Sequence, residues 1–208
     1  MKLGLCQMPV TASKMENDAA MRRYVRDAAA AGCDLVVLPE MWCCPYDNAA
    51  FTDYAEPQGG QTWQLLRDTA RECCVWLVAG SVPERDRDAI YNTCYVFDPT
   101  GTQRAKHRKV HLFDIDVAGG QRFFESDTLS PGQHYTLFDT PFGKIGAAIC
   151  FDVRFAELFR ILALEGAQLI VVPAAFNMTT GPAHWELLFR ARALDNQCFV
   201  AGCAPARD

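Results

Sequence analysis

Short apolar runs alternate along this chain with longer segments in which apolar residues recur at helical spacing. Such runs are typical of buried strands, and the spacing of the longer segments is typical of amphipathic helices. Together they predict an α/β protein. The predicted helices cover residues 15–31, 62–73, 156–165 and 183–196, and the predicted strands cover residues 1–7, 35–38, 75–79, 90–97, 135–138, 144–149, 169–172 and 198–202.

Two features refine this pattern. The strands at 135–138 and 144–149 flank a turn with a proline and a glycine, which predicts a hairpin. Residues 31–40 (AGCDLVVLPE) align with residues 165–174 (EGAQLIVVPA). Each copy has a helix end, a glycine suited to a helix C-terminal cap, a buried strand and a proline. We therefore expect two similar αβ halves, and we predict a single domain over residues 1–208 because no linker separates them.

Length and composition exclude several classes of protein. The 208 residues suffice for one substantial core. A net charge of −5 argues against a nucleic-acid-binding protein. No apolar run reaches the ~18 residues of a membrane helix, and the N-terminus turns polar too soon for a signal peptide. We therefore expect a cytoplasmic protein that contacts neither membrane nor nucleic acid.

Ten cysteines raise the question of disulfides or metal. The pairs Cys43-Cys44 and Cys73-Cys74 are adjacent in sequence, and adjacent cysteines rarely bridge. Without a signal peptide, reduced thiols are the better interpretation. No Cys-x-x-Cys pair is present and there are only four histidines, so we predict no metal site.

Cys150 lies where a predicted strand meets a predicted helix. At such a turn the unpaired N–H groups and the helix dipole favour a thiolate, and the same donors can hold an oxyanion. This position predicts a nucleophile with a lowered pKa. The competing interpretation is a buried structural cysteine.

Two other segments carry candidate chemistry. Glu40 follows the strand Leu35–Leu38 and Pro39, at a strand end where α/β sheets place reactive groups. Taken alone it could equally be an ordinary loop carboxylate. Lys109 lies within residues 104–114, a basic segment that is also compatible with a solvated positive patch that contacts phosphate or RNA.

Taken together, Glu40, Lys109 and Cys150 resemble, in order and local context, the nitrilase (carbon–nitrogen hydrolase) superfamily. The resemblance extends from Met1 to Asp208 and implies an α-β-β-α sandwich, in which two sheets face each other with helices outside. It is closest to the omega-amidase branch. The segments that carry this closer match are residues 110–116, 124–132, 176–186 and 204–208.

The resemblance also implies roles. Cys150 would be the nucleophile and Glu40 the base for both half-reactions. Lys109 and the Phe151 backbone N–H would hold the oxyanion. Glu125 matches a second glutamate of the family and would orient Lys109 or a substrate amide, unless it is an exposed loop carboxylate. Many relatives have Tyr at the position of Phe151, which should matter little because the backbone N–H remains.

Substrate contacts are predicted less directly. Arg154 could bind a substrate carboxylate, or it could pair with a nearby acid and brace the cysteine turn. Four further residues follow strand ends and could form walls of the pocket: Trp42, Tyr46, Phe176 and Thr179. Aromatic residues at the positions of Trp42 and Tyr46 are as often part of ordinary core packing. The histidines at 107, 111 and 184 are not needed as bases, and His184 is expected to make a structural hydrogen bond.

The expected activity is release of ammonia from the terminal amide of a small acidic substrate. The omega-amidase resemblance implies a 2-oxo-acid monoamide, such as 2-oxoglutaramate or 2-oxosuccinamate. No cofactor is implied, and a homo-oligomer is expected. One alternative is another amidase of the superfamily, such as a deaminated-glutathione amidase. Relatives continue for several tens of residues with further strands and a tail, so a shortened, inactive binding subunit is a second alternative.

Overall fold

The computed structural model describes residues 1–206. In this part of the chain five α-helices and twelve β-strands follow one another. The helices are α1 (Lys14–Ala30), α2 (Asn48–Asp53), α3 (Gln61–Cys73), α4 (Ala156–Leu164) and α5 (Gly181–Asn196). The strands are β1 (Leu3–Leu5), β2 (Leu35–Val37), β3 (Trp76–Val78), β4 (Val82–Asp86), β5 (Ala89–Phe97), β6 (Gln103–Arg108), β7 (Asp114–Asp116), β8 (Arg122–Phe124), β9 (Thr136–Thr140), β10 (Gly143–Ala147), β11 (Leu169–Pro173) and β12 (Phe199–Cys203).

The strands form two large sheets and one separate hairpin. The first sheet has the order β1-β2-β3-β5-β4, and β6 pairs with β5. The second sheet has the order β12-β11-β10-β9. Strands β1, β2 and β3 run parallel, as do β10, β11 and β12. Strands β7 and β8 form the hairpin.

Side chains of β2 show how the layers are stacked. All three are buried, so both faces of the strand are covered. Leu35 and Val37 belong to one apolar cluster with Val171 of the second sheet. Val36 belongs to another cluster with Met21 of α1. The first sheet therefore packs against the second sheet on one face and against helices on the other.

The second sheet repeats this arrangement. Val171 of β11 faces the first sheet, whereas Ile170 packs with Leu162 of α4 and with Leu188 of α5. The order of layers is thus helix, sheet, sheet, helix. The predicted α-β-β-α sandwich is confirmed.

The two copies of the repeated segment begin with the same helix end. Helix α1 is followed by Gly32 with a φ of 79°, and α4 by Gly166 with a φ of 97°. Only glycine adopts this left-handed conformation without steric cost. The predicted glycine caps are therefore confirmed in both halves.

The hairpin predicted around residues 139–143 is also confirmed, since β9 and β10 pair antiparallel. Strands β4 and β6 and the hairpin β7–β8 are absent from the sequence prediction. Their sequences are too polar to resemble buried strands; β6, for example, reads QRAKHR. Pairing with β5 makes β6 a strand despite this composition.

The interpretation of residues 104–114 as a solvated basic patch is wrong. His107 and Lys109 are fully buried. Lys106 and Arg108 form ion pairs with Glu84, at 3.0 and 2.8 Å. Within residues 1–206, none of the helices combines the length and apolar character that crossing a membrane requires.

Candidate active site

Four polar side chains from distant parts of the chain meet in one cluster. Lys109 Nζ donates to Glu40 Oε1 at 2.9 Å and to Glu125 Oε1 at 3.0 Å. It also lies 3.3 Å from the Tyr46 hydroxyl, which contacts both carboxylates. Lys109 and Glu125 are fully buried and Glu40 is 1% exposed. Glu125 is therefore not an exposed loop carboxylate.

The two oxygens of Glu40 have different surroundings. Oε1 accepts from Lys109 and from Asn92 Nδ2, the latter at 2.8 Å, and lies 3.1 Å from the Tyr46 hydroxyl. Oε2 is buried and has no hydrogen-bond partner among the described residues. A buried unpaired acceptor is costly. Oε2 is thus the carboxylate atom of Glu40 that can accept a proton from a reacting group.

Backbone contacts fix the loop that presents Glu40. Its own N–H donates to the Ala174 carbonyl at 3.4 Å. Met41 has a φ of 48°, and its N–H donates to Ser81 Oγ at 3.1 Å. The Ser81 N–H in turn donates to the Pro39 carbonyl at 3.1 Å. Because a non-glycine residue holds a positive φ only where its surroundings impose it, the loop has little freedom.

Lys109 follows β6 and is held by its backbone as well as by its ammonium group. Its N–H donates to the Asn92 carbonyl at 2.8 Å, and its carbonyl accepts from the Gly132 N–H at 2.8 Å. Asn92 therefore contacts both Glu40, through its side chain, and Lys109, through its backbone.

Cys150 begins a short 3₁₀ turn, Cys150–Arg154, three residues after the last residue of β10. It is 6% exposed and has a φ of 46°, in the left-handed region. N–H groups in the first turn of a helix have no partner within that helix, and Phe151 lies in this first turn. Its N–H therefore has no acceptor within the turn.

Burial raises the pKa of the Cys150 thiol well above its ordinary value, and the Glu40 carboxylate raises it further. The Lys109 ammonium and the Ala175 N–H lower the pKa, but their effect is smaller. The prediction that the turn lowers the pKa of this cysteine is therefore wrong, because a five-residue 3₁₀ turn does not offset desolvation. The raised pKa favours the thiol form of Cys150 over the thiolate.

Two other groups of the cluster, Lys109 and Tyr46, keep their ordinary protonation states. Burial alone would lower the pKa of Lys109, but Glu125 and Glu40 outweigh burial and raise it. Burial raises the pKa of Tyr46, and the two glutamates raise it further. Lys109 thus stays an ammonium ion and Tyr46 a phenol. Burial also raises the pKa of Glu125, against the opposing effect of Lys109.

A cavity of about 180 Å³ opens onto Cys150. A larger, more open groove beside α5 contains none of the residues above, so the smaller cavity is the candidate substrate site. Two of the residues that line it are joined by a hydrogen bond of 2.6 Å, which Asn177 Nδ2 donates to Oε1 of Gln121 in the β7–β8 loop. The lining residues are Tyr46, Phe113, Gln121, Phe123, Cys150, Phe151, Arg154, Ala175, Phe176, Asn177 and Thr180.

Arg154 supplies the cationic group of this lining. Its guanidinium lies 5.4 Å from the Phe151 ring and 5.5 Å from the Phe176 ring. Nη2 is 3.2 Å from His184 Nδ1, which agrees with the structural hydrogen bond expected for His184. Within residues 1–206 Arg154 forms no ion pair, and its buried Nε has no partner. The alternative in which an acid pairs with Arg154 is therefore not observed in this part of the chain.

Two predicted wall residues do not reach the cavity. Trp42 is fully buried in the first half, where its Nε1–H donates to the Ala79 carbonyl at 2.9 Å. The prediction that it contacts substrate is wrong, because the ring belongs to the core. Thr179 is exposed, and it is Asn177 and Thr180 on either side that line the cavity. Tyr46 and Phe176 do line it.

Sequence reasoning missed three residues near the site. Asn92 is a polar residue in a largely apolar strand, and that pattern could have suggested a buried role. Asp152 lies two residues after Cys150, yet only its burial reveals its importance. No feature of the sequence around Gln121 predicted that the β7–β8 loop would line the cavity.

Comparison with known protein families matches residues 2–208 to the family described as carbon–nitrogen hydrolase. The chain belongs to this family. The hydrolase is 54% identical over 207 residues to omega-amidase NIT2-A of Xenopus laevis and 51% identical to omega-amidase NIT2 of Homo sapiens. Both alignments cover all of this chain and 75% of the relative.

Similar solved structures belong to the same superfamily. The hydrolase matches Saccharomyces cerevisiae Nit3, described as a member of branch 10 of the nitrilase superfamily, with a TM-score of 0.91 and 40% identity. This alignment covers 100% of this chain and 76% of Nit3. The C. elegans NitFhit protein matches with a TM-score of 0.90 and 34% identity, over 98% of this chain and 51% of that one. The predicted superfamily, its omega-amidase branch and an enzyme acting on the carbon–nitrogen bonds of amides are confirmed.

Proposed function

We propose that this hydrolase releases ammonia from the terminal amide of a small acidic substrate, with a 2-oxo-acid monoamide such as 2-oxoglutaramate or 2-oxosuccinamate preferred. One observation supports this chemistry most strongly. A thiol with a raised pKa, Cys150, opens onto the cavity and lies under the influence of Glu40, whose Oε2 has no partner. A protonated nucleophile beside a free carboxylate oxygen is the pair that base-assisted nucleophilic catalysis requires.

In the first half-reaction, Cys150 Sγ attacks the amide carbon while its proton passes to Glu40. The carbon–nitrogen bond then breaks, the nitrogen takes the proton from Glu40, and ammonia leaves. The product of this step is a thioester on Cys150. Since Glu40 both takes and returns the proton, no second acid is needed.

The negative charge that develops on the substrate oxygen needs donors. The Lys109 ammonium is the fixed cation of the site, and the Phe151 N–H lies next to the attacking sulfur. We assign both to the oxyanion. Loss of one such donor typically costs about 10²–10³ in rate. Glu125 accepts a second hydrogen bond from Lys109, beside the one to Glu40, and helps to hold the ammonium group in place.

The second half-reaction releases the acid. Water attacks the thioester carbon, and Glu40 takes the proton of the water. The carbon–sulfur bond breaks, Cys150 recovers its proton, and the dicarboxylate departs. The same base thus serves both steps, because the substrate carbon is at the same place in each.

Size and charge of the cavity support a small acidic substrate. At about 180 Å³ it is smaller than the roughly 300–1,000 Å³ of cavities that hold drug-sized ligands. This favours a five-carbon monoamide over the larger deaminated glutathione. The guanidinium of Arg154, which has no acidic partner in residues 1–206, matches a carboxylate. Half-identical relatives that are omega-amidases support the same substrate class.

The test is ammonia release from a panel of amides. We expect turnover of 2-oxoglutaramate and 2-oxosuccinamate, much slower turnover of a neutral amide of the same length, and none with Cys150→Ala. Intact-mass spectrometry should show a transient acyl adduct on Cys150. Faster turnover of deaminated glutathione would overturn the substrate, and an adduct on a different cysteine would overturn the mechanism.

A further inference from the structure

Asp152 is a fully buried carboxylate that takes no part in the proposed reaction. It lies two residues after Cys150. Burial alone would raise its pKa, but hydrogen bonds from His107 and His111 outweigh burial and hold the pKa well below its usual range. Burying an ionised carboxylate costs free energy unless hydrogen bonds offset that cost, so the partners of Asp152 indicate what it does.

Its two oxygens accept backbone hydrogen bonds from two different segments. Oδ2 accepts from the Ile149 N–H at 2.9 Å, and Ile149 directly precedes Cys150. Oδ1 accepts from the His111 N–H at 2.9 Å, and His111 is two residues past Lys109. One carboxylate therefore joins the turn of the nucleophile to the loop of the lysine.

Two imidazoles complete the contacts. His111 Nδ1 lies 2.8 Å from Oδ1, and His107 Nε2 lies 3.4 Å from Oδ2. Because an ionised carboxylate only accepts, both of these nitrogens carry protons. His107 Nδ1 reaches Thr136 Oγ1 of the second sheet at 3.0 Å, and the His111 ring stacks on Phe155 with 3.5 Å between centroids.

The turn that carries Cys150 needs such support. Its positive φ is a conformation that a non-glycine residue keeps only when the surroundings impose it. The Asp152 N–H donates to the Ile149 carbonyl at 3.0 Å, and the Asp152 carboxylate accepts from the Ile149 N–H. These two bonds close the backbone around Cys150 on both sides.

We propose that Asp152 is a positioning residue that fixes the Cys150 turn and the Lys109 loop relative to each other. The inference rests on the proposed roles of Cys150 and Lys109. A displacement of about 1 Å from a change outside the chemistry can cost about 10²-fold in rate. Asp152 should therefore set the rate of the chemical step and leave substrate binding nearly unchanged.

Asp152→Asn tests this with almost no change in shape. The amide has one acceptor oxygen, whereas the two backbone N–H groups approach opposite oxygens. Either imidazole can change tautomer and accept from the amide nitrogen, but a backbone N–H cannot. The variant thus loses one of the two backbone links. Glu84→Gln is the matched control, because Glu84 is a second buried, hydrogen-bonded carboxylate. Its side chain pairs with Lys106 and Arg108 of β6 and forms no hydrogen bond to residues 109–111 or 149–152.

For Asp152→Asn we expect kcat to fall about 10²-fold with KM within threefold, and Glu84→Gln to lose thermal stability with kcat unchanged. The rate at which iodoacetamide alkylates Cys150 is a second measurement, and it does not depend on substrate turnover. The pH profile of Cys150 alkylation should shift in Asp152→Asn and not in Glu84→Gln. If Asp152→Asn does not fold, Asp152→Glu replaces it with the same expectations, since it keeps the charge and displaces the oxygens.

An unchanged kcat, or a loss of stability with an unshifted alkylation profile, would overturn the positioning role. A rise in KM at constant kcat would also overturn it. Failure of the proposed function looks different: the wild type would then hydrolyse no terminal amide, while the alkylation profiles would still report whether Asp152 positions Cys150.

Discussion

Strand β2 in the first sheet and strand β11 in the second occupy equivalent places in the two halves of the molecule. Each follows a helix and a left-handed glycine, runs parallel to both of its neighbours and has a proline at its end or within two residues after it. Their side chains alternate alike, so that Val37 and Val171 face each other's sheet. The halves even meet at equivalent residues, where the Glu40 N–H donates to the Ala174 carbonyl.

The difference lies in the residue after the proline. In the first half it is Glu40, whose carboxylate is a member of the buried charged cluster. In the second half it is Ala174, which is fully buried and adds only a methyl group. The next residue, Ala175, lines the cavity and directs its N–H toward Cys150. The same pattern of buried residues thus forms the strand in both halves, whereas the single residue that follows the proline determines which half contributes a carboxylate to the cluster.

Glu40→Gln removes what distinguishes the first half. The amide cannot take the Cys150 proton, so we expect kcat/KM for 2-oxoglutaramate to fall by about 10²–10⁴. Glu165→Gln is the matched control, because Glu165 is exposed and belongs to the repeated segment of the second half. An activity near wild type in Glu40→Gln would show that another group is the base.

Glu40→Gln should slow hydrolysis but speed up the alkylation of Cys150 in the absence of substrate. The Glu40 carboxylate raises the pKa of Cys150, so its removal lowers that pKa and increases the thiolate fraction at pH 8. A shift of one unit changes this fraction up to tenfold. We therefore expect iodoacetamide to alkylate Cys150 several-fold faster in Glu40→Gln, as followed by peptide mass spectrometry. Slower or equal alkylation would contradict the assigned electrostatics.

Tyr46→Phe sharpens the comparison inside the cluster. It removes the hydroxyl that contacts Lys109, Glu40 and Glu125 and leaves the ring on Phe51 and Phe123. Net loss of a hydrogen bond is worth about 0.5–1.5 kcal/mol. We expect kcat to fall roughly three- to tenfold, with an unchanged far-UV spectrum. A fall as large as that of Glu40→Gln would indicate that the hydroxyl itself moves a proton.

Gly32→Ala and Gly166→Ala test the similarity of the halves. A side chain at either position meets open space or only ordinary contact, so the positive φ alone determines the cost. A left-handed non-glycine residue costs about 1–2 kcal/mol. We expect both variants to lose this much free energy of unfolding in urea, by equal amounts, with kcat unchanged. Unequal losses would mean that the two helix ends are not equivalent.

The sequence could predict those features that depend on a short segment of the chain, and not those that depend on contacts between distant segments. Glu40 and Cys150 were within reach because each follows an apolar run, and Lys109 was within reach because it lies in a short, distinctive basic segment. Strand β6 was not, since its polar sequence becomes a strand only by pairing with β5. The direction of the Cys150 pKa shift was predicted wrongly, because burial between two sheets is a property of the whole fold. Asp152 joins residues about 40 positions apart, and no local pattern reports such a link.

The resting state of Cys150 has a consequence for survival of the enzyme under oxidative stress. Peroxide attacks thiolates and hardly touches protonated, buried thiols. Cys94, buried in the same core, has its pKa raised to about 12 by burial, and Cys150 shares this protected form. Oxidants should therefore act slowly on Cys150 as long as its thiol stays protonated.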